Sequence, residues 1–164
     1  MNTRLKLFLC ASLALLFAAN SFAQGAQEVK VAAAADLKFA MAELSAQFEK
    51  QGGTKLQITY GSSGNFLTQI QNGAPFDIFF SADSDYPKKL DAANLTEPNT
   101  LTQYALGHLV LWSPAGGIDV SNEGWNSLTS DRVKKIAIAN PEHAPYGRAA
   151  VAALKTAGIY DQVK

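Results

Sequence analysis

Between residues 29 and 93 the chain switches three times from a short apolar run to a segment of helical period. Val29-Lys30-Val31-Ala32-Ala33 leads to Leu37, Ala40, Met41, Leu44 and Phe48 at helical spacing, with Gly52-Gly53 as the stop. Lys55 to Tyr60 alternates as a strand, and Phe66, Leu67 and Ile70 mark a second short helix ended by Asn72-Gly73-Ala74-Pro75. Asp77 to Asp83 is a continuous apolar run bounded by acids, which suits a strand buried on both faces. A third helix over Asp85 to Ala93 carries Pro87 in its first turn. This β-α-β-α-β-α order predicts an α/β fold with a parallel, doubly wound sheet.

Near Tyr104 the rhythm changes, and the boundary between two α/β lobes is placed there. Ala105 to Trp112 reads as a long strand, followed by the turn at Ser113-Pro114-Ala115-Gly116-Gly117. Trp125 to Leu128 reads as a short helix, Lys135 to Ala139 as a strand, and Gly147 to Ala157 as a helix. There is no internal repeat and no low-complexity stretch.

Two Ser/Gly/Ala turns stand where helices begin. One is Tyr60-Gly61-Ser62-Ser63-Gly64-Asn65; the other is Ala32-Ala33-Ala34-Ala35-Asp36-Leu37. A helix start has N–H groups without intrahelical partners and a partial positive charge, so it attracts a small anion. The plainer role for Ser62 and Ser63 is helix capping, which serine does well.

The first 23 residues read as a cleaved secretory signal: Arg4 and Lys6, an apolar stretch from Leu7 to Ala19, then Ser21-Phe22-Ala23. The apolar run is too short for a membrane span. Cys10, the only cysteine, lies within it, so the mature chain is expected to hold no disulfide and no thiolate metal site. Cleavage leaves 141 residues; Arg4 and Lys6 depart, and 12 basic residues face 14 acidic ones, a net charge of −2. A nucleic-acid partner would want a basic stripe, so that class is set aside. Anion binding on such a chain has to be local, from aimed N–H groups and hydroxyls.

Five stretches, spread in order over nearly the whole mature chain, carry a resemblance. They are Val31 to Met41, Gly61-Ser62-Ser63-Gly64, Asn72 to Asp83, Leu109-Val110-Leu111-Trp112-Ser113, and Ile138 to Gly147. With them the chain resembles the periplasmic molybdate-binding proteins of ABC importers, which are class II solute receptors. The resemblance implies two doubly wound, mostly parallel α/β lobes joined by crossover strands, with the oxyanion held between them. It implies a first lobe over residues 24–104 and, over 105–164, a crossover with an incomplete second lobe. A full-length member runs past Lys164, so the chain is read as C-terminally truncated, with unsatisfied sheet edges or an exposed apolar face. The segments that grip molybdate in the family fall on Ala35 and Asp36, on Ser63 with Ser62 beside it, and on Tyr146. The resemblance further implies molybdate or tungstate as the ligand, with no further cofactor and no catalysis. It implies an inner-membrane permease as the partner and a periplasmic monomer as the protein.

Molybdate and tungstate are tetrahedral dianions that carry no proton near neutral pH, so a selective site offers donors only. Ser62 and Ser63 meet that requirement. Tyr146, between Pro145 and Gly147 at a helix start, brings a phenol and a ring. Asp36 departs from it, standing where other members place a serine, threonine or asparagine. A carboxylate aimed at a dianion repels it. Three accounts follow: Asp36 caps a helix over Leu37–Gln51 and lends only its N–H, which is the favoured one; it is protonated; or it accepts the proton of a ligand such as hydrogen phosphate.

Other candidates have simpler readings. His143 and Glu142 are turn neighbours with no second histidine close in sequence, and read as solvent-exposed residues. Asp77 and Asp83 read as strand-end and cap residues before a catalytic pair. Gly-Ser-Ser-Gly lacks the spacing of a nucleophile elbow, and His108 lies in an apolar run away from Ser63. The expected function is therefore capture of molybdate, with phosphate or sulfate as alternative ligands and a secreted serine hydrolase as the alternative class.

Overall fold

The computed structural model describes residues 28–164. The signal-peptide reading falls on residues 1–23, outside the described residues. Strand β1 (Val29–Ala34) lies at the centre of a three-stranded sheet, between β2 (Leu56–Gly61) and β3 (Ile78–Phe80), in the order β2-β1-β3. Both pairings are parallel; β1 meets β2 from Val29↔Leu56 to Ala34↔Gly61, and β3 from Val31↔Ile78 to Ala33↔Phe80. Parallel strands need crossovers, and α1 (Lys38–Lys50) and α2 (Ser63–Gln71) supply them, while α3 (Asp85–Ala92) follows β3. This is the α/β order expected for residues 29–93.

Burial follows from the central place of β1. Val31, Ala32, Ala33 and Ala34 are buried, because both edges of β1 are laddered and both faces covered. On one face Val31, Ala33 and Met41 form a core with Leu37, Leu56, Ile58, Tyr60 and Phe80. Phe66, 2% exposed, anchors a second cluster, with ring edges against Phe76 at 5.5 Å and Phe79 at 6.1 Å between centroids.

Two expectations for this part need correction. The apolar run around β3 is not buried on both faces: only three residues ladder, and Ile78 is exposed, because β3 is an edge strand. Of the predicted stripe only Leu37 and Met41 pack inward, while Ala40, Leu44 and Phe48 stay exposed.

From residue 105 on, helices form and strands do not. Asp119 caps α4 (Val120–Glu123) by accepting from the Asn122 N–H at 3.1 Å, and a 3-10 turn covers Gly124–Thr129. Helix α5 (Pro145–Thr156) starts on a proline, and α6 (Tyr160–Val163) follows. The strands expected over 105–112 and 135–139 do not form, since among the described residues no strand lies beside them to ladder with. Their apolar side chains stand out as a result: Leu106 is 74%, Val110 80% and Trp112 79% exposed. No helix among the described residues is long and apolar enough to cross a membrane.

Candidate functional site

Three helix starts meet beyond the carboxyl end of the sheet, where open parallel sheets place ligands. The first follows β1 directly: a 3-10 turn over Ala35–Leu37 precedes α1. The second follows β2, whose last residue Gly61 leads into Ser62 and α2. The third is the start of α5, at Pro145 and Tyr146, from the opposite part of the chain. Two contacts hold the third start against the others. The Gly64 N–H donates to the His143 carbonyl at 3.0 Å, and Tyr146 Oη donates to Asp36 Oδ2 at 3.3 Å.

Close approach at Gly64 depends on its missing side chain. A Cβ there would lie 2.8 Å from the His143 carbonyl oxygen and 2.9 Å from Tyr86 Oη. Gly107 serves Tyr146 in the same way, since a Cβ on it would sit 2.7 Å from Tyr146 Oη.

The two serines of the second turn have different tasks. Ser62 is the N-cap, its Oγ accepting from the Asn65 N–H at 3.3 Å. Ser63 is one residue inside the helix and 1% exposed; its Oγ accepts from the Ala82 N–H at 2.9 Å. That bond uses a lone pair and leaves the Ser63 hydroxyl proton to be donated. Among the described residues the N–H groups of Ala35, Asp36, Ser63 and Tyr146 have no acceptor. Each stands in the first turn of a helix or 3-10 turn, where such donors are unpaired within the helix.

Asp36 does not cap a helix. The N-cap of α1 is Leu37 and that of the 3-10 turn is Ala34, neither with a side-chain cap bond. The carboxylate instead turns across to Tyr146. The favoured account of Asp36 is thereby corrected: the 3-10 turn inserted after β1 places residue 36 inside the first turn, past the capping position.

Sequence reasoning missed Tyr104. Its Oη donates to the Ser81 carbonyl at 2.6 Å and its ring meets Phe80 edge-on at 5.5 Å. Burial pushes its phenol up from the ordinary tyrosine range, with the negative charge of Asp36 and then Tyr146 adding to the rise. Tyr146 is raised as well, by burial first, then by the charge of Asp36 and the hydrogen bond to it. Both phenols therefore stay protonated and able to donate. Arg148 was missed too: it pairs with Asp83 and donates to Tyr86 Oη. These contacts join residues 62 and 65 apart, and no local spacing could have announced them.

The remaining candidates have structural places. Asp77 pairs β3 to β1, accepting the Lys30 N–H at 2.7 Å and donating its own to the Lys30 carbonyl at 2.8 Å. Asp83 Oδ1 accepts from the Asp85 and Tyr86 N–H groups at the start of α3. His143 and Glu142 lie exposed, 3.7 Å apart, and His108 is exposed on the unladdered segment.

Comparison with known proteins gives this geometry a context. The family described as bacterial extracellular solute-binding protein matches residues 29–164. The molybdate-binding protein ModA of Azotobacter vinelandii is 42% identical over 139 residues, covering 85% of this chain and 54% of that protein. The ModA of Rhodobacter capsulatus is 37% identical with the same coverage, and that of Escherichia coli 34% identical over 96% of this chain and 62% of its own length. A solved structure of the periplasmic molybdate-binding protein of A. vinelandii superposes with a TM-score of 0.75 at 39% identity, covering 82% of this chain and 57% of that one. The chain spans a little over half the length of these relatives. With the parallel sheet, the placement of three helix starts at its carboxyl end and the match over residues 29–164, the chain belongs to the bacterial extracellular solute-binding proteins.

Proposed function

We propose that the protein captures molybdate, and tungstate with it, between two lobes in the periplasm and delivers it as a monomer to an ABC importer in the inner membrane. The lobes divide near residue 104, after the sheet-bearing part. One observation carries the reading: the helix starts at Ala35–Asp36, Ser62–Ser63 and Pro145–Tyr146 come together, with unpartnered N–H groups on all three. Donors from both parts of the chain then surround one anion, and no side chain has to supply a positive charge. The relatives whose names specify molybdate support the choice of ligand.

Within this reading each residue has one role. Ala35 and Asp36 lend backbone N–H groups, Ser63 its N–H and buried hydroxyl, Ser62 the cap that orients α2, and Tyr146 its N–H and phenol. Tyr146 would release Asp36 and donate to an anion oxygen. The site binds and releases; Ser63 Oγ already accepts the Ala82 N–H, and among the described residues no imidazole is hydrogen-bonded to it to act as base.

Isothermal titration calorimetry of the protein with molybdate, tungstate, phosphate and sulfate tests the proposal. Saturable binding of molybdate and tungstate at one site is the expected result. Tight phosphate or sulfate binding without a molybdate response would replace the ligand, and ester turnover at the site would replace the class.

A further inference from the structure

We propose that Arg148 is a positioning residue for this site, a latch tying the helix that carries Tyr146 to the loop that holds Ser63. The inference rests on the molybdate-capture reading and adds to it a residue that touches no ligand.

Arg148 follows Tyr146 by two residues in α5. Its Nη2 donates to Asp83 Oδ2 and its Nη1 to Tyr86 Oη, with the guanidinium carbon 4.7 Å from the Tyr86 ring centroid. The receiving groups are themselves fixed. Asp83 Oδ1 accepts from the Asp85 N–H at 3.1 Å and the Tyr86 N–H at 3.2 Å, and Tyr86 is buried. One residue before Asp83, the Ala82 N–H donates to Ser63 Oγ at 2.9 Å. Residues 82 and 83 thus hold Ser63 through the backbone and Arg148 through the carboxylate.

The consequence is geometric coupling. Tyr146 and Ser63 come from parts of the chain that must separate if the site is to open, and Arg148 bridges them by an independent route. Three contacts resist that separation: Gly64 to His143, Tyr146 to Asp36, and Arg148 to Asp83 with Tyr86. Only the last engages two partners at once with a charged, planar fork, the strongest of the three types. The guanidinium charge is matched by Asp83, so Arg148 acts through placement, not by attracting the anion.

The test compares Arg148→Ala, Arg148→Lys and Asp83→Asn with the unaltered protein. Asparagine keeps an acceptor for the α3 N–H groups while removing the charge. Stopped-flow kinetics should show molybdate released about tenfold faster from Arg148→Ala and Asp83→Asn, with association within about twofold of the original, the loss expected for a charge-assisted pair. The double variant should release no faster than the faster single one, because both remove the same contact. Arg148→Lys should fall between, losing the fork.

A second readout needs no ligand. Spin labels on cysteines placed at the exposed Lys50 and Ala152, in a Cys10→Ser background, report the separation of α1 and α5. Arg148→Ala should lengthen and broaden that distance. Unchanged release and unchanged distances, with only a lower melting temperature, would overturn the latch. Should Arg148→Ala fail to fold, Asp83→Asn and Tyr86→Phe carry both measurements. An unaltered protein that binds no molybdate would sink the functional reading alone, and the label distances would still decide the latch.

Discussion

The part of the chain from residue 28 to 92 and the part from 105 onward contain similar apolar runs, yet only the first builds a sheet. In the first, β1 finds a partner on each side within fifty residues, and four of its five alanine and valine positions disappear from solvent. In the second, 105–112 and 135–139 are just as apolar, and their side chains remain out in solvent. Helices form in both parts. A helix satisfies its backbone groups from within its own segment, whereas a strand depends on another segment being alongside. An apolar run is therefore a statement about what a segment could bury, and its neighbour decides whether it does.

The largest test of that contrast is a pair of substitutions. Phe66→Ala removes a buried ring with two edge-on aromatic neighbours, and should cost about 3–5 kcal/mol in urea unfolding. Trp112→Ala removes a larger side chain that buries little, and should change stability by less than about 0.5 kcal/mol. A Trp112 cost approaching that of Phe66 would show that residues 105–112 are packed against something, and the contrast would fail.

The same physics explains what could be read in the sequence. The three helices of the first part, α5, and strands β1 and β2 were legible because periodicity and stop residues are local signals. Asn72-Gly73 and Gly52-Gly53 end α2 and α1 where expected, and the serine turn was legible as a helix start. The division of labour between Ser62 and Ser63 was not. It turns on a single residue's offset, with Ser62 at the cap and Ser63 facing Ala82 across 19 positions. Asp36 was misread for a related reason: a 3-10 turn between β1 and α1 moves the cap position by a residue or two, which composition cannot reveal. Tyr104, Arg148 and Tyr86 enter the site region only through tertiary contacts.

The second prediction sharpens the comparison at the site, where one donor comes from each part. Ser63 is buried and holds the Ala82 N–H, so Ser63→Ala should weaken molybdate binding by about 1.5–3 kcal/mol and also lower stability by about 1–3 kcal/mol. Tyr146→Phe should weaken binding by a similar amount and leave stability within about 0.5 kcal/mol, since its only side-chain bond is to an exposed carboxylate. Calorimetry and urea unfolding on the same samples separate the two quantities. Equal stability losses would mean that the helical part is as firmly built as the sheet.

The third concerns alkaline pH. Tyr104 and Tyr146 both have phenols raised above the ordinary value of about 10, so the folded chain holds these protons more tightly than the unfolded one. The stability they contribute is fully present below about pH 10 and is lost as pH climbs through their folded values. Titration of Tyr104 and Tyr146, followed by their own ring resonances, should show both ionising above the ordinary value. Ionisation of both at the ordinary value would remove that expectation.

The smallest effect is the most informative about the ligand, and it belongs to Asp36. Its carboxylate accepts from Tyr146 Oη, the donor that a bound anion would want, and its charge faces the place where a dianion would sit. Asp36→Ser removes the competitor and the repulsion together, while keeping the backbone N–H and adding a hydroxyl donor. Molybdate affinity should hold or rise, by up to about tenfold, and stability should change by less than about 0.5 kcal/mol because the carboxylate caps nothing. The same change gives an independent signature in the titration. Burial, the largest cause of the Tyr146 rise, remains, but the charge and hydrogen bond of Asp36 go, so the Tyr146 phenol should come down part of the way toward its ordinary value. Tyr104 should follow by less, having lost one charge and no hydrogen bond. If the protein instead binds phosphate and Asp36→Ser abolishes that binding while both phenols shift as described, the carboxylate is needed as an acceptor. The ligand would then be an oxyanion that brings its own proton, as hydrogen phosphate does, since only such a ligand gains from an acceptor in the site.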